Sequence, residues 1–211
     1  FGPGKSGKKA SGLLMVDGVL YMWARNADSN GSGSRLAWSE DHGKNWEWAD
    51  WQFKEFGYPT FINYGKNYSG ARDTYVYAVS HDNPSAYECA DHFVLMRVAR
   101  KKILDRNSYE FFRQFDSNGN PVWTSDITER GEVFKDPGRC FRSGISYNPV
   151  LKRYFWWQAK FASGEDGRYA GAFAVFDAPE PWGPWTAVYC TENWDVGVGD
   201  TGSFPPKWIS R

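Results

Sequence analysis

Three carboxylates lie close together in the sequence, Asp73 in the run GARD and Glu88 and Asp91 in YECADHF. A protonated carboxyl facing an ionised one is the pair that cleaves glycosidic bonds, one delivering a proton while the other activates water or attacks. Asp73 follows Arg72 on a hairpin arm, and Glu88 and Asp91 precede an apolar strand of the same unit, so the three are expected to converge on one rim as candidate catalytic residues. The competing reading keeps Arg72 and Asp73 as a surface ion pair and leaves Glu88 and Asp91 as solvated loop charges. Guanidinium groups grip a carboxylate or sulfate in a planar fork, which makes Arg72, Arg139 and Arg142, with the ammonium of Lys207, candidate substrate-binding cations. Their alternative role is to neutralise neighbouring acids. Trp23, Trp156, Trp157 and Tyr169 offer flat rings to a sugar face, Trp157 and Tyr169 being the candidates for stacking. Successive strand residues point to opposite faces, so at least one of Trp156 and Trp157 belongs to a core, the default for most of the 12 tryptophans.

Other chemistries find less support. His42, His81 and His92 are too few and too scattered for a transition-metal site. The three cysteines, Cys89, Cys140 and Cys190, match neither a zinc pattern nor a disulfide framework and are read as reduced thiols. No Gly-x-Ser-x-Gly elbow accompanies a serine nucleophile. Glu192, Asp195 and Asp200 in TENWDVGVGDTG carry oxygen donors without a dense acidic loop pattern; no cofactor and no metal site are expected, a structural cation such as calcium staying open. With 25 basic and 25 acidic residues and no basic run, nothing points to nucleic acid or an anionic membrane. No stretch approaches 18 uninterrupted apolar residues, and the chain opens without Met on FGPGKSGKKASG, so an upstream portion with an export signal is expected.

The elements that must carry these residues read as strands. Aromatic residues make up 18% of the 211 residues, beside 22 Gly and 11 Pro, a composition suited to many short strands joined by tight turns. The clearest turn is SEDHGKNW at 39–46. Asp41 can fold its carboxylate onto backbone N–H groups, Gly43 can adopt positive φ, and Trp46 returns on the next strand. This Ser-x-Asp-x-Gly-x-x-Trp spacing, with Ser39 first, resembles the Asp-box of sialidase-like β-propellers, where the Asp is structural. Two further turns close on tryptophan, DSNGNPVW at 116–123 and DAPEPWGPW at 177–185, the closing Trp advancing by 77 and 62 residues. A second series is led by GLLMVDGVLYMWAR (12–25), with Asp17-Gly18 as a two-residue hairpin signal. Its counterparts begin at Thr60, Ser143 and Ser203, a mean step of about 64 residues. FVLMRVA (93–99) and AGAFAVFDA (170–178) are the expected third strands of the second and third units, and KKILDRNSYEFFRQF (101–115) is the one segment read as helical.

The fold predicted is all-β, a β-propeller portion of antiparallel four-stranded blades: units at 9–56, 57–136 and 137–199 and the start of a further blade at 200–211. Three and a fraction do not close a ring, so exposed edges are expected to pair with a missing segment or another copy. Polar residues on the inner strands then face the channel: Lys9, Ser11, Thr60, Asn63, Arg139, Arg142, Ser143 and Lys207. The blocks KASGLLMVDGVLYMWARNA, LAWSEDHGKNWEWADW, PTFINYGKNYSGARDTYVY, CFRSGISYNPVLKRYFWWQ and DAPEPWGPWTAVYCTENWDVG together resemble a bacterial family of secreted five-bladed β-propellers of unknown function. Among its distant relatives are endo-acting arabinan hydrolases. The resemblance implies a secreted or periplasmic carbohydrate-active protein with an oligo- or polysaccharide partner, a glycoside hydrolase or part of one using a carboxylate pair. The alternative is a glycan- or protein-binding module without catalysis.

Overall fold

The computed structural model describes residues 2–160, 172–192 and 204–205, with only the backbone of residue 160. Thirteen strands carry it, and no α-helix occurs among the described residues. The first sheet holds β1 (Lys9–Val16), β2 (Val19–Arg25), β3 (Ser34–Ser39) and β4 (Glu47–Phe53) in that order. A second group runs β5 (Thr60–Asn63), β6 (Tyr75–His81), β7 (Ala90–Ala99), β8 (Tyr109–Phe115) and β9 (Pro121–Thr124). The third is β10 (Phe134–Asn148), β11 (Arg153–Lys160), β12 (Phe173–Ala178) and β13 (Thr186–Thr191). Within each group neighbours pair antiparallel, whereas β5 and β10 meet in parallel at Ile62 and Asn63 against Ile145 and Ser146. These are blades of a β-propeller, with β1, β5 and β10 innermost.

Local chemistry explains the hairpins. Asp17 and Gly18 take φ of 50° and 86°, the double positive φ of the turn whose twist matches a two-residue hairpin. In the 39–46 turn, Asn45 donates its backbone N–H to Asp41 Oδ1 at 2.9 Å and its side-chain amide to Oδ2 at 2.6 Å. Gly43, at φ 88°, donates its N–H to Ser39 Oγ at 2.8 Å, and Trp46 Nε1 donates to the Gly43 carbonyl at 3.1 Å. Both carboxylate oxygens of Asp41 thus accept hydrogen bonds from within its own turn. Asp116 repeats the device, accepting from the N–H groups of Asn118 and Asn120, each at 2.8 Å. Asp177, first in the third such segment, instead accepts from Arg153 Nε across β11 and β12 at 2.7 Å.

The expected helix at 101–115 is not formed. Two single 3-10 turns, Arg100–Lys102 and Arg106–Ser108, lead into β8, and the carboxylate of Asp105 accepts from the Asn107 N–H at the second. Tyr109 and Phe111 alternate onto the buried face, and pairing of β8 with both β7 and β9 outweighs a 3.6-residue spacing that rested on few apolar positions. The unit edge expected at 136/137 lies inside β10, whose first part pairs with β7 before its remainder pairs with β11.

Aromatic rings fill the spaces between blades. Trp23, with no exposed surface, packs with Trp51, Phe53, Phe61 and Tyr109 between the first and second. Trp156, equally buried, meets Phe93 and Trp185, both at 4.8 Å between ring centroids, between the second and third. Packing of this kind excludes Trp156 from ligand contact. At the innermost positions the blades nearly touch: a Cβ on Gly12 would lie 2.9 Å from the Thr60 Cα, and Ser11 Oγ donates to the Pro59 carbonyl at 2.7 Å.

Candidate ligand site at the channel mouth

All three inner strands begin at one end of the channel, because β5 and β10 run parallel and Ser11 near the start of β1 bonds to Pro59 just before β5. The antiparallel register brings the last residues of β2 and β6 to the same end, with Arg25 opposite Lys9 and His81 two residues past Val79, the partner of Thr60. Side chains from three blades therefore meet there. Arg25 comes from the first, Tyr58, His81 and Tyr87 from the second, and Arg142 from the third.

Arg25 is 8% exposed, and its guanidinium carbon lies 5.4 Å from the Tyr58 ring centroid and 5.3 Å from that of Tyr87. Arg142, 1% exposed, lies 5.3 Å and 6.0 Å from the same two rings and donates from Nη2 to the Ala86 carbonyl at 3.1 Å. Lys5 and Lys9 complete the set, their ammonium nitrogens 5.6 Å and 5.8 Å from the Tyr87 centroid. Cation–π attraction holds each charge against a ring face. It leaves in-plane N–H groups unanswered: among the described residues, buried Arg25 Nε and Nη1 have no hydrogen-bond acceptor and buried Asn26 Oδ1 has no donor.

Donors converge as well. The Gly4 carbonyl oxygen accepts from Lys9 Nζ at 3.0 Å, Tyr87 Oη at 2.9 Å and Asn26 Nδ2 at 3.4 Å. Burial pushes the Tyr87 phenol up, but hydrogen bonds from Asn26 and Lys9 and the charges of Arg25 and Lys9 outweigh it, so its pKa lies below the usual tyrosine value. Burial lowers His81 to about 4, helped by the charge of Arg142, so the ring is neutral at pH 7. Its Nε2 lies 2.9 Å from the Ser85 carbonyl. The mouth can thus attract and orient an electron-rich group, and none of these residues is a carboxylate.

The predicted carboxylates do not converge. Asp73 accepts from the Tyr75 N–H at 2.8 Å and from Tyr77 Oη at 2.6 Å, at the end of β6 remote from the mouth. Tyr75 faces Ala99 and His81 faces Phe93, so Asp73 and Asp91 lie beyond opposite ends of a ladder that is itself about 20 Å long at the usual rise per residue. Asp91 does reach the mouth end, where it accepts from the Gly138 N–H at 2.8 Å and holds the irregular part of β10. Glu88 is exposed at that end, and its carboxylate has no hydrogen bond or ion pair among the described residues.

The arginines also separate. Arg72 makes a two-pronged pair with Glu180, 2.9 Å on each prong, at the far end of the channel. Arg139 pairs with Glu192, Nη1 to Oε1 at 3.0 Å. Of the three predicted, only Arg142 stands in the mouth. Trp157 is half-buried and stacks on Phe173. Lys207, Tyr169, Asp195 and Asp200 lie outside the described residues. The inner-strand residues Ser11 and Asn63 are engaged with backbone, Asn63 accepting from the Gly65 N–H at 2.8 Å. The three cysteines are unbonded to one another. Among the described residues no group of His, Cys, Asp and Glu could hold a metal ion.

Arg25, Tyr58 and Tyr87 escape a sequence reading that looks along inner strands alone. Arg25 ends a second strand, and only the register opposite Lys9 brings it to the mouth. Its signal is an arginine closing the apolar run VLYMWAR, where a core strand has no use for a charge.

No family model matches the chain, and no curated protein matches it in sequence. Solved structures do. A β-xylosidase designated RS223 aligns at a TM-score of 0.53 and 13% identity, covering 90% of this chain and 58% of that one. A GH43_1 enzyme from Xanthomonas citri gives 0.46 at 13% identity, covering 84% and 53%. A GH43 endo-arabinanase from Bacillus licheniformis gives 0.45 at 14% identity, covering 89% and 57%. The chain thus spans little more than half the length of these three proteins, and what it shares with the xylosidase is the fold.

Proposed function

We propose that this chain is part of a carbohydrate-active β-propeller that seats a glycan at the channel mouth. The observation that carries the reading is the convergence there of Lys9, Arg25, Asn26, Tyr87 and Arg142, from three blades, a donor-rich set suited to an oxygen-rich ligand. The fold likeness adds a reason to test sugars first, since the RS223 protein is a β-xylosidase. Glycoside hydrolysis is the reaction class proposed, with Glu88 as the carboxylate at this end. Its partner must lie within about 10 Å. Asp73 is remote and Asp91 holds the Gly138 N–H, and this favours as second reading a module that binds glycan without cleaving it.

Binding and turnover measured together on a panel of neutral and acidic oligosaccharides test both. Turnover that Glu88→Gln abolishes while binding persists identifies a hydrolase. Binding without turnover in the unaltered protein identifies the binding module. Absence of binding across the panel contradicts the proposal.

A further inference from the structure

We infer that the mouth recognises an oxyanion carried by the glycan, a carboxylate or sulfate, with Arg25 as its principal contact; the inference rests on the glycan reading above. Arg25 is more than nine-tenths buried, yet Nε and Nη1 have no acceptor among the described residues. A buried N–H without a partner costs more than a typical hydrogen bond contributes, and a charged donor costs most. Tyr58 and Tyr87 meet the guanidinium by ring contact and offer its in-plane N–H groups no acceptor. Nε and Nη1 each share an edge of the guanidinium with Nη2, and a carboxylate or sulfate engages two donors of one edge side by side.

The surroundings agree. Arg142 stands over the same two rings, and Lys5 and Lys9 over Tyr87, so four cations gather about one pair of tyrosines. None of Lys5, Lys9 and Arg25 has an ion-pair partner among the described residues. Like charges so placed repel one another, and an anion is the ligand that relieves them. The Gly4 carbonyl already marks one point where Lys9, Tyr87 and Asn26 deliver donors to a single oxygen. A neutral sugar hydroxyl would bond to such donors without cancelling any charge.

The test is calorimetric titration with two matched pairs, oligogalacturonate against its methyl ester, and a sulfated galactan oligosaccharide against its desulfated form. In at least one pair the charged member is expected to bind about tenfold or more tightly at low salt, the gap narrowing as salt rises; the pair with the larger gap names the oxyanion. Arg25→Lys keeps a charge but loses the fork and should remove most of that preference. Lys9→Gln, at a half-buried rim position, should remove a smaller part and serves if the Arg25 variant does not fold. Equal binding of charged and neutral members, or a preference that survives both substitutions, overturns the oxyanion site and leaves the glycan reading standing. Absence of binding by all four oligosaccharides overturns both.

Discussion

Both ends of the channel place an arginine against two tyrosines, and they treat it in opposite ways. At the far end Arg72 lies 5.6 Å and 5.8 Å from the rings of Tyr147 and Tyr154, and Glu180 closes a two-pronged pair with it. At the mouth Arg25 lies at similar distances from Tyr58 and Tyr87, deeper in the protein, with no carboxylate partner among the described residues. The exposed cation has its counter-ion, and the buried one lacks it. Stability alone selects the reverse, since desolvation penalises an unpaired charge most where it is most buried. The difference teaches that the far end is finished as structure, whereas the mouth holds donors whose acceptor must come from elsewhere.

Perturbing each end sharpens this contrast. The largest effect is expected at His81. Its pKa is held at about 4 in the fold, below the unfolded value, so its contribution is fully present above the unfolded value and is lost as pH falls towards 4. At about 1.4 kcal/mol per unit, unfolding free energy should drop by about 3 kcal/mol across that window. His81→Phe should flatten the slope, and denaturant titrations of both proteins at several pH values check it; equal slopes would remove the buried neutral ring from the account.

Next comes Arg25→Met, which keeps an apolar stem and discards the unanswered charge. Without ligand it should raise unfolding free energy by about 1 kcal/mol, read from the urea midpoint, net of the cation–π contacts it gives up. A lower midpoint would show that Arg25 is satisfied as it stands. Glu180→Gln at the far end should change stability by less than about 1 kcal/mol, because that pair is more than a third exposed on each side and screened by salt. A larger loss would mean that the far-end pair holds the blades together.

The most local effect is expected at Asp41, whose carboxyl the Asn45 backbone and side chain, with Ser39, hold at about 2. A depressed carboxyl contributes above its unfolded pKa and loses that contribution as pH falls towards 2. Asp41→Ala should lower the melting temperature at neutral pH and match the unaltered protein more closely near pH 2, with glycan affinity unchanged. A selective loss of affinity would reassign the turn.

Short-range chemistry was the legible part of the sequence. Asp17-Gly18 and the Asp41 and Asp116 turns follow from residues within a few positions of each other, and the continuous apolar run in FVLMRVA suffices for β7. The helix expected at 101–115 failed because the pairing that decides it joins Phe111 to Thr124 and Met96, partners that no local periodicity reveals. The carboxylate rim failed for a related reason. Asp73 and Asp91 are near in sequence, but the full length of β6 separates them. Arg139 and Arg142 are three residues apart, yet one pairs with Glu192 while the other turns to Tyr58 and Tyr87. Register decides such outcomes, and register is set by partners far along the chain.

The central claim is that the mouth around Arg25 is a ligand site and the paired cation of the far end is not. Thermal melts of the unaltered protein, Arg25→Met and Arg72→Met, with and without the oligosaccharide that binds best, measure this in one experiment. The ligand should raise the melting temperature of the unaltered protein and of Arg72→Met alike, and leave Arg25→Met almost unmoved. An equal rise in all three proteins, or a response lost only in Arg72→Met, would contradict the account.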